Sequence, residues 1–285
     1  MNLLITGASG FIGNYFIETY SEKLNISTFS FLKDNFHTLD LKNTTTILHL
    51  SALVHQMGGA SEDEYERVNV TQTIELAKKA KESGVRHFIF MSSVKVYGEE
   101  SETPYNEETT CEPKDAYGMS KLKAEQELQK LEDDNCVMSI IRTPIVYGYG
   151  VKANIKNLIT LVDKFSILPF GAIDNKRNIV YIGNLCHMID EIIKQKKSGL
   201  FLASDDKPLS TTQLIKNIAY SLDKKIYLLK IPFFETLLKV LKPSYHKRLY
   251  GSLELNNSVT KEMLNLKNKY TTLEGINFMI NNEKV

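Results

Sequence analysis

The first thirteen residues constrain the fold of this chain most strongly. A short apolar run, Asn2 to Thr6, leads directly into the turn Gly7-Ala8-Ser9-Gly10-Phe11-Ile12-Gly13, and a helix-compatible segment follows to about Ser21. In such a turn the first glycine allows the tight bend, the second lets the backbone approach a phosphate, and the third lets the helix pack closely. The helix N-terminus then offers free N–H groups and a positive dipole end to the anion. The pattern predicts a dinucleotide-binding unit with Gly7, Gly10, Phe11, Ile12 and Gly13 as cofactor-binding residues.

The end of the second predicted strand, Ile26 to Phe31, is where a dinucleotide-binding fold usually selects its cofactor. An acidic residue there binds the ribose hydroxyls of NAD, whereas a basic residue accommodates the 2′-phosphate of NADP. Phe31-Leu32 leaves that place without a carboxylate, and Lys33 and then Asp34 follow. We therefore predict NADP(H), bound through Lys33, with NAD(H) as the alternative.

A third strand, Thr45 to Leu50, ends in the small residues Ser51 and Ala52. Only about thirteen residues separate it from the second strand, too few for a further strand and a full crossover helix. Asp40 and Leu41 in this connection are expected to form a turn that contacts adenine. Leu50, Ser51 and Ala52, at the strand end, are expected to line the cofactor site.

The remaining pattern predicts an α/β fold, a Rossmann-type doubly wound parallel sheet with a smaller C-terminal mixed substrate-binding lobe. Residues 1–150 are predicted to form the dinucleotide-binding domain, and 151–285 the substrate lobe, interleaved with the last strands. The predicted later strands are 85–91, 137–141 and 179–182, and the predicted later helices are 61–83, 115–131, 153–165, 184–196, 210–222 and 233–242.

Tyr117 and Lys121 lie four residues apart in Tyr117-Gly118-Met119-Ser120-Lys121, which places them on one face of a helix. An ammonium group near a phenol favours the phenolate and lowers its pKa from about 10 towards neutrality. Such a tyrosine is suited to general acid–base catalysis. Ser93 follows the predicted strand 85–91, and hydroxyls at the carboxyl end of a parallel strand face the ligand crevice.

Composition excludes several other classes of function. The net charge of +1 gives no electrostatic reason to expect nucleic acid or an anionic membrane surface as a partner. The three cysteines are widely spaced and show no metal-ligand spacing, which is typical of a reduced cytosolic chain without a metal. The N-terminal residues have neither the basic region nor the apolar segment of a signal peptide, so a cytoplasmic location is expected.

Together these stretches resemble the extended short-chain dehydrogenase/reductase family, and within it the nucleotide-sugar epimerase/dehydratase branch. The resemblance covers nearly the whole chain and is most specific over the first 150 residues. It is carried by the glycine turn, Ser93 five residues before Gly98, Tyr117-x-x-x-Lys121, and Arg142-x-Pro144-x-x-Tyr147-Gly148. Asn69 also matches the family pattern, where this residue helps to tie the central sheet together.

The resemblance implies a role for each matching residue. Tyr117 would be the acid–base on the sugar C4 oxygen, Lys121 would hold the nicotinamide ribose and depress the pKa of Tyr117, and Ser93 would position the reacting oxygen. The substrate would be a UDP-sugar, and the family also implies a homodimer through the helix of Tyr117 and its neighbour. The residues expected to contact substrate are Ser93, Val94, Tyr117, Asn154 and the two diphosphate-binding arginines Arg177 and Arg248.

Three interpretations of the activity remain open at this stage. Dehydratases of the family follow the catalytic hydroxyl with Asp-Glu, whereas this chain has Val94-Lys95, which disfavours 4,6-dehydration. The favoured prediction is reduction of a UDP-4-keto-6-deoxy-N-acetylhexosamine at C4, as in the synthesis of UDP-QuiNAc or UDP-FucNAc for surface polysaccharides. The alternatives are a UDP-hexose or UDP-N-acetylhexosamine C4 epimerase with tightly bound NAD, and a non-catalytic NADP-binding regulatory protein.

Overall fold

Six parallel strands form the main sheet of the computed structural model, which describes residues 1–54 and 60–283. The spatial order is β2-β1-β3-β4-β5-β9, so the order reverses between β1 and β3. In open α/β sheets, ligands bind at the carboxyl ends of the strands beside such a reversal. The strands are β1 (Asn2–Thr6), β2 (Asn25–Phe29), β3 (Thr46–His49), β4 (His87–Ser93), β5 (Val137–Thr143) and β9 (Gly199–Leu202).

Helices cover both faces of this sheet, because successive residues of its strands point to opposite sides. Leu3 and Ile5 of β1 join one hydrophobic cluster, whereas Leu4 joins the other. The first cluster packs under α1 (Phe11–Tyr20) and α6 (Ile182–Gln195), and the second under α3 (Gln72–Glu82) and α4 (Ala116–Leu131). The helices of the first half of the chain are α1 (Phe11–Tyr20), α2 (Glu62–Tyr65), α3 (Gln72–Glu82) and α4 (Ala116–Leu131). The predicted doubly wound sheet is confirmed.

The helix predicted over 61–83 contains a π-helical segment, Glu66–Thr71, between α2 and α3. Its buried Asn69 accepts a hydrogen bond from Leu53 N at 2.8 Å and donates to Leu53 O at 3.0 Å and to Ser120 Oγ at 3.0 Å. Asn69 therefore ties the segment after β3 to α4, close to the crevice. The short connection between β2 and β3 holds only a 3₁₀ turn, Phe36–Thr38, consistent with its length.

The second half of the chain is built around two small parallel pairs, β6–β8 and β7–β10. This half also contributes β9 to the main sheet, where it pairs with β5. The strand β9 has only four residues and was not predicted from the sequence. The predicted boundary at residue 150, between the dinucleotide-binding domain and the substrate lobe, stays a prediction. The strands are β6 (Ile145–Tyr147), β7 (Ile167–Leu168), β8 (Ile179–Tyr181) and β10 (Tyr227–Leu228); the helices are α5 (Ala153–Lys164), α6 (Ile182–Gln195), α7 (Thr211–Ser221), α8 (Phe234–Leu241), α9 (Pro243–Tyr250), α10 (Ser258–Leu264) and α11 (Thr272–Ile280).

Candidate active site

The glycine turn lies at the point where the strand order reverses. Gly7 has φ +71°, and a Cβ atom placed on it would lie 2.7 Å from the backbone nitrogen of Ser51. A Cβ on Gly13 would lie 2.6 Å from the carbonyl oxygen of Gly7. Neither position accepts a larger residue without moving the backbone. Gly10 is the N-cap of α1, and it has no side chain that could accept hydrogen bonds from the N–H groups of the first turn. These N–H groups are therefore available to bind a pyrophosphate.

The other predicted cofactor residues lie at the same sheet edge or just beyond it. Leu50 and Ser51 contact the Gly7 position, Ala52 follows them, and Phe11 and Ile12 form the first turn of α1. Asp40 Oδ1 accepts a hydrogen bond from Lys42 N at 3.0 Å, so it closes a turn as expected. Leu41 is buried in the hydrophobic core between the sheet and α3. Contact of Asp40 and Leu41 with adenine remains a prediction.

The end of β2 differs from the sequence-based expectation. The chain turns back after Ser30, so that Asp34 Oδ2 accepts a hydrogen bond from Ser30 N at 2.8 Å. Because Phe31 and Leu32 follow β2, no acidic group was expected at the end of that strand. The structure places the Asp34 carboxylate there. Lys33 lies in the same turn and donates its backbone N–H to Ser30 O at 3.0 Å.

The predicted catalytic residues come from the carboxyl end of β4 and the first two turns of α4. Ser93 ends β4, and its Oγ accepts a hydrogen bond from Lys95 N at 3.2 Å. Tyr117 lies partly buried in the first turn of α4, where its side chain hydrogen-bonds with that of Ser93. Lys121 is fully buried one turn later, and its Nζ lies 4.1 Å from the centre of the Phe90 ring.

The expectation that Lys121 lowers the pKa of Tyr117 is wrong for this structure. The pKa of Tyr117 is raised to about 12, chiefly by burial; the hydrogen bond with Ser93 opposes this rise, and the carboxylate of Asp115 and the nearby Tyr65 add to it. Desolvation outweighs the stabilisation of the phenolate. Tyr117 therefore holds its proton at neutral pH, as a general acid must.

Burial also controls the ionisation of Lys121. It lowers the pKa of the amine to about 7, and the carboxylate of Glu125 one turn further along α4 opposes this shift. The amine can thus change its charge near neutrality, where an unperturbed lysine stays protonated.

The start of α4, and with it Tyr117, is fixed by the segment after β4. Asp115 is the N-cap and accepts a hydrogen bond from Gly118 N at 2.7 Å, while its other oxygen binds Lys95 Nζ. A Cβ on Gly118 would lie 2.7 Å from the carbonyl oxygen of Lys95, so glycine permits this close approach. Lys95 occupies the position where the dehydratases of the family carry a carboxylate, and here it holds the N-cap residue of α4.

A buried ion pair fixes the next turns of α4 against β5. Arg142 Nη2 donates to Glu125 Oε2 at 2.6 Å, and Arg142 Nε lies 3.1 Å from Oε1. Ser92 donates its hydroxyl to the same carboxylate, and the Arg142 guanidinium lies 4.6 Å from the centre of the Tyr97 ring. Arg142 was predicted only as part of a motif, and Glu125, which lies four residues after Lys121, was not predicted.

One cavity of about 490 Å³ brings together all six residues that were predicted to contact substrate. It extends from Ser93, Val94 and Tyr117 to Asn154, Arg177 and Arg248, and such a volume suits a small organic ligand. Arg248 Nη1 lies 3.4 Å from Asn154 Oδ1, so these two side chains meet at the wall.

The far end of the cavity is rich in cationic groups. Arg177 donates from Nη2 to the carbonyl oxygen of Gly251 at 3.1 Å, but its buried Nε has no hydrogen-bond partner among the described residues. An unpartnered guanidinium N–H is a ready donor to a phosphate oxygen. Lys247 and Ser244 of α9 line the same region and were not predicted, because the helix they belong to was overlooked; Pro243 at its first position is the signal that could have revealed it.

Comparison with known proteins agrees with this geometry. The model of the NAD dependent epimerase/dehydratase family matches residues 3–201. The chain belongs to this family. It is an NAD(P)-dependent enzyme of the extended short-chain dehydrogenase/reductase type. Within that type it belongs with the nucleotide-sugar epimerases and reductases.

Two relatives and one solved structure show what the chain is similar to. A UDP-glucose 4-epimerase of Vibrio cholerae is 36% identical over 304 residues, covering 96% of this chain and 93% of the relative. An N-acetyl-alpha-D-glucosaminyl-diphospho-ditrans,octacis-undecaprenol 4-epimerase of Escherichia coli O157:H7 is 29% identical over 252 residues, covering 81% and 76%. The UDP-N-acetylglucosamine 4-epimerase of Bacillus cereus has a TM-score of 0.79 at 19% identity, covering 98% of each chain. The structural similarity concerns the fold, whereas the two sequence relatives favour the epimerase alternative over the predicted reductase.

Proposed function

We propose that this protein is an NAD-dependent nucleotide-sugar 4-epimerase whose substrate is a UDP-hexose or UDP-N-acetylhexosamine. The observation that carries the proposal is the single cavity that joins Ser93 and Tyr117 to the cationic group Arg177, Lys247 and Arg248. An acid–base pair at one end and phosphate-binding groups at the other match a sugar joined to a nucleoside diphosphate.

Bound NAD would supply a hydride acceptor and donor at the sugar C4, and the residues of the glycine turn would hold its pyrophosphate. The positive charge of bound, oxidised NAD would favour the phenolate of Tyr117. In that form Tyr117 takes the proton from the C4 hydroxyl as that carbon is oxidised, and it returns the proton when the opposite face is reduced. The Ser93 hydroxyl holds the C4 oxygen beside the phenol. Arg177 and Arg248 keep the diphosphate bound while the freed 4-keto sugar turns over.

NAD is preferred over NADP in this proposal because of Asp34. Its carboxylate lies against the end of β2, where it repels a 2′-phosphate and accepts hydrogen bonds from ribose hydroxyls. This reverses the cofactor preference that was inferred from Lys33.

A sugar linked through diphosphate to a polyprenol is a second candidate substrate. The E. coli relative is named for such a compound, and the cationic end of the cavity would bind that diphosphate in the same way. The two candidates differ in what lies beyond the diphosphate, a nucleoside in one and a lipid in the other.

Incubation of the protein with UDP-glucose or UDP-N-acetylglucosamine and a catalytic amount of NAD tests the proposal. Formation of the C4 epimers without net consumption of cofactor, and faster with NAD than with NADP, is the expected result. Stoichiometric oxidation of NADPH by a UDP-4-keto-6-deoxy sugar, without formation of an epimer, would instead establish the reductase.

A further inference from the structure

The helix α8 presents an apolar surface that the protein itself does not cover. Of the twenty large hydrophobic residues exposed in the described chain, eight lie between Tyr227 and Tyr245. Leu237, Val240 and Leu241 of α8 are 56%, 74% and 64% exposed. Phe234 and Leu238 are half-buried on the inner side, where the Phe234 ring lies 6.1 Å from that of Phe170. Only part of the apolar arc of α8 is therefore used for packing.

The residue at the start of α8 extends the outward apolar surface. Phe233 is the N-cap, it is 86% exposed, and its φ of +61° is a conformation that bulky residues rarely adopt. Strain of this kind costs on the order of 1–3 kcal/mol and tends to persist where function requires it. Phe233, Leu237, Val240 and Leu241 are spaced by four, three and one residues, so they lie along one side of the helix. We call these four residues the α8 patch.

The surroundings of the α8 patch are strongly basic. Residues 224–250 contain seven Lys or Arg residues and a single Glu, although the whole chain has a net charge of only +1. Lys230, Lys239 and Lys242 are exposed beside the patch. The near-zero overall charge had excluded an anionic surface as a partner, but residues 224–250 alone hold seven basic residues and one acidic residue.

We propose that the α8 patch docks on an anionic lipid bilayer. Phe233, Leu237, Val240 and Leu241 enter the boundary between headgroups and acyl chains, and the neighbouring lysines bind the acidic headgroups. An apolar helix face bordered by lysines is the usual composition of an interfacial helix. A second copy of this chain fits less well, because a two-fold contact through the patch would bring the same lysines against themselves.

Docking at this surface would place the substrate cavity close to the membrane. The helices α8 and α9 pack against each other, and α9 contributes Ser244, Lys247 and Arg248 to the cavity wall. A substrate whose diphosphate is attached to a lipid could therefore reach the cationic end of the cavity from the bilayer. The docking itself is independent of the proposed reaction.

Co-sedimentation with vesicles tests the proposal. We expect the protein to sediment with vesicles that contain phosphatidylglycerol, less with pure phosphatidylcholine, and less at high salt. Leu237→Asp/Val240→Asp should lower the bound fraction by about tenfold, because two charges would enter the interface. Val259→Asp is the matched control: Val259 is 48% exposed on α10, and its variant should bind vesicles like the wild type.

Three outcomes would overturn the proposal: no sedimentation of the wild type, equal loss of binding in the control, or unchanged binding in the α8 variant. A wild-type dimer in gel filtration that the α8 variant abolishes, without any vesicle binding, would instead assign the patch to a second copy. Circular dichroism and activity on a soluble UDP-sugar verify that the α8 variant is folded. The vesicle result is thus separate from any failure of the catalytic proposal.

Discussion

Burial shifts the pKa values of Tyr117 and Lys121 in opposite directions, and each shift favours the neutral form. The pKa of the phenol is raised to about 12, and that of the amine is lowered to about 7. The hydrogen bond with Ser93 is the interaction that moves the pKa of Tyr117 back towards neutrality. At the scale of single residues, burial therefore favours the neutral form of both groups, whereas contact with Ser93 favours loss of the phenol proton.

Replacing Tyr117 with Phe removes the group that carries this proton. We expect turnover to fall by at least about a hundredfold, the lower end of what a positioned acid–base contributes, while NAD still binds. Steady-state kinetics and calorimetric titration with NAD measure the two effects. The control is Tyr20→Phe, a buried tyrosine of α1, which should retain turnover. Near-normal turnover of Tyr117→Phe would remove Tyr117 from the catalytic role.

Lys121 should make the stability of the protein depend on pH. Below pH 7 the amine is protonated in both the folded and unfolded states; between pH 7 and the ordinary lysine value of 10.5, only the unfolded state keeps the proton. The free energy of unfolding should therefore rise with pH from about 7 to 9, by up to about 1.4 kcal/mol per pH unit from this group. Urea denaturation of wild type and Lys121→Met measures the difference in slope. Parallel pH profiles of the two proteins would contradict the lowered pKa.

At the scale of secondary structure, the position of α4 decides where Tyr117 lies. The helix is fixed at its start by Asp115 and Lys95, and in its middle by Glu125 and Arg142. Asn69, in the π-helical segment, connects it to the residues after β3. Each of these contacts joins α4 to a segment at the edge of the crevice.

Gly118→Ala tests the close approach at the start of α4. Alanine in a helix interior normally stabilises a protein by about 1 kcal/mol relative to glycine. Here the new Cβ would lie 2.7 Å from the Lys95 carbonyl oxygen and 3.0 Å from Pro113 Cβ, so we expect lower stability and about a tenfold loss of turnover. Met119→Ala, at the exposed neighbouring position, should change neither property. A more stable and fully active Gly118→Ala would show that α4 does not depend on this contact.

The ion pair between Arg142 and Glu125 tests the attachment of α4 to β5. Arg142→Met leaves a buried carboxylate without its partner, and we expect a loss of about 3–5 kcal/mol in the free energy of unfolding. The double variant Arg142→Met/Glu125→Leu should recover most of that loss, because no buried charge remains. Chemical denaturation measures both values. Equal destabilisation of the single and double variants would mean that packing dominates over charge.

At the scale of the whole molecule, the sequence predicted the parts of the site that depend on local pattern. The glycine turn, Ser93, Tyr117 and Lys121 lie at the predicted sheet edge, and the cavity contains the six expected substrate residues. Features that depend on how the chain turns or pairs in three dimensions were harder to predict from the sequence. The position of Asp34 depends on a reversal after Ser30, and the strand β9 is too short to have a periodic signal.

No helix in the described part of the chain is long and apolar enough to span a membrane.

The measurement that tests the proposed reaction most directly follows the hydrogen at C4. UDP-glucose and UDP-N-acetylglucosamine deuterated at C4 are incubated with the protein and catalytic NAD, and the products are analysed by NMR. A hydride that is removed and returned within one cavity predicts C4 epimers that retain the deuterium, with no net change in the oxidation state of the cofactor. Epimers that carry protium at C4, or NADPH oxidation by a 4-keto sugar without formation of an epimer, would contradict the proposed 4-epimerase.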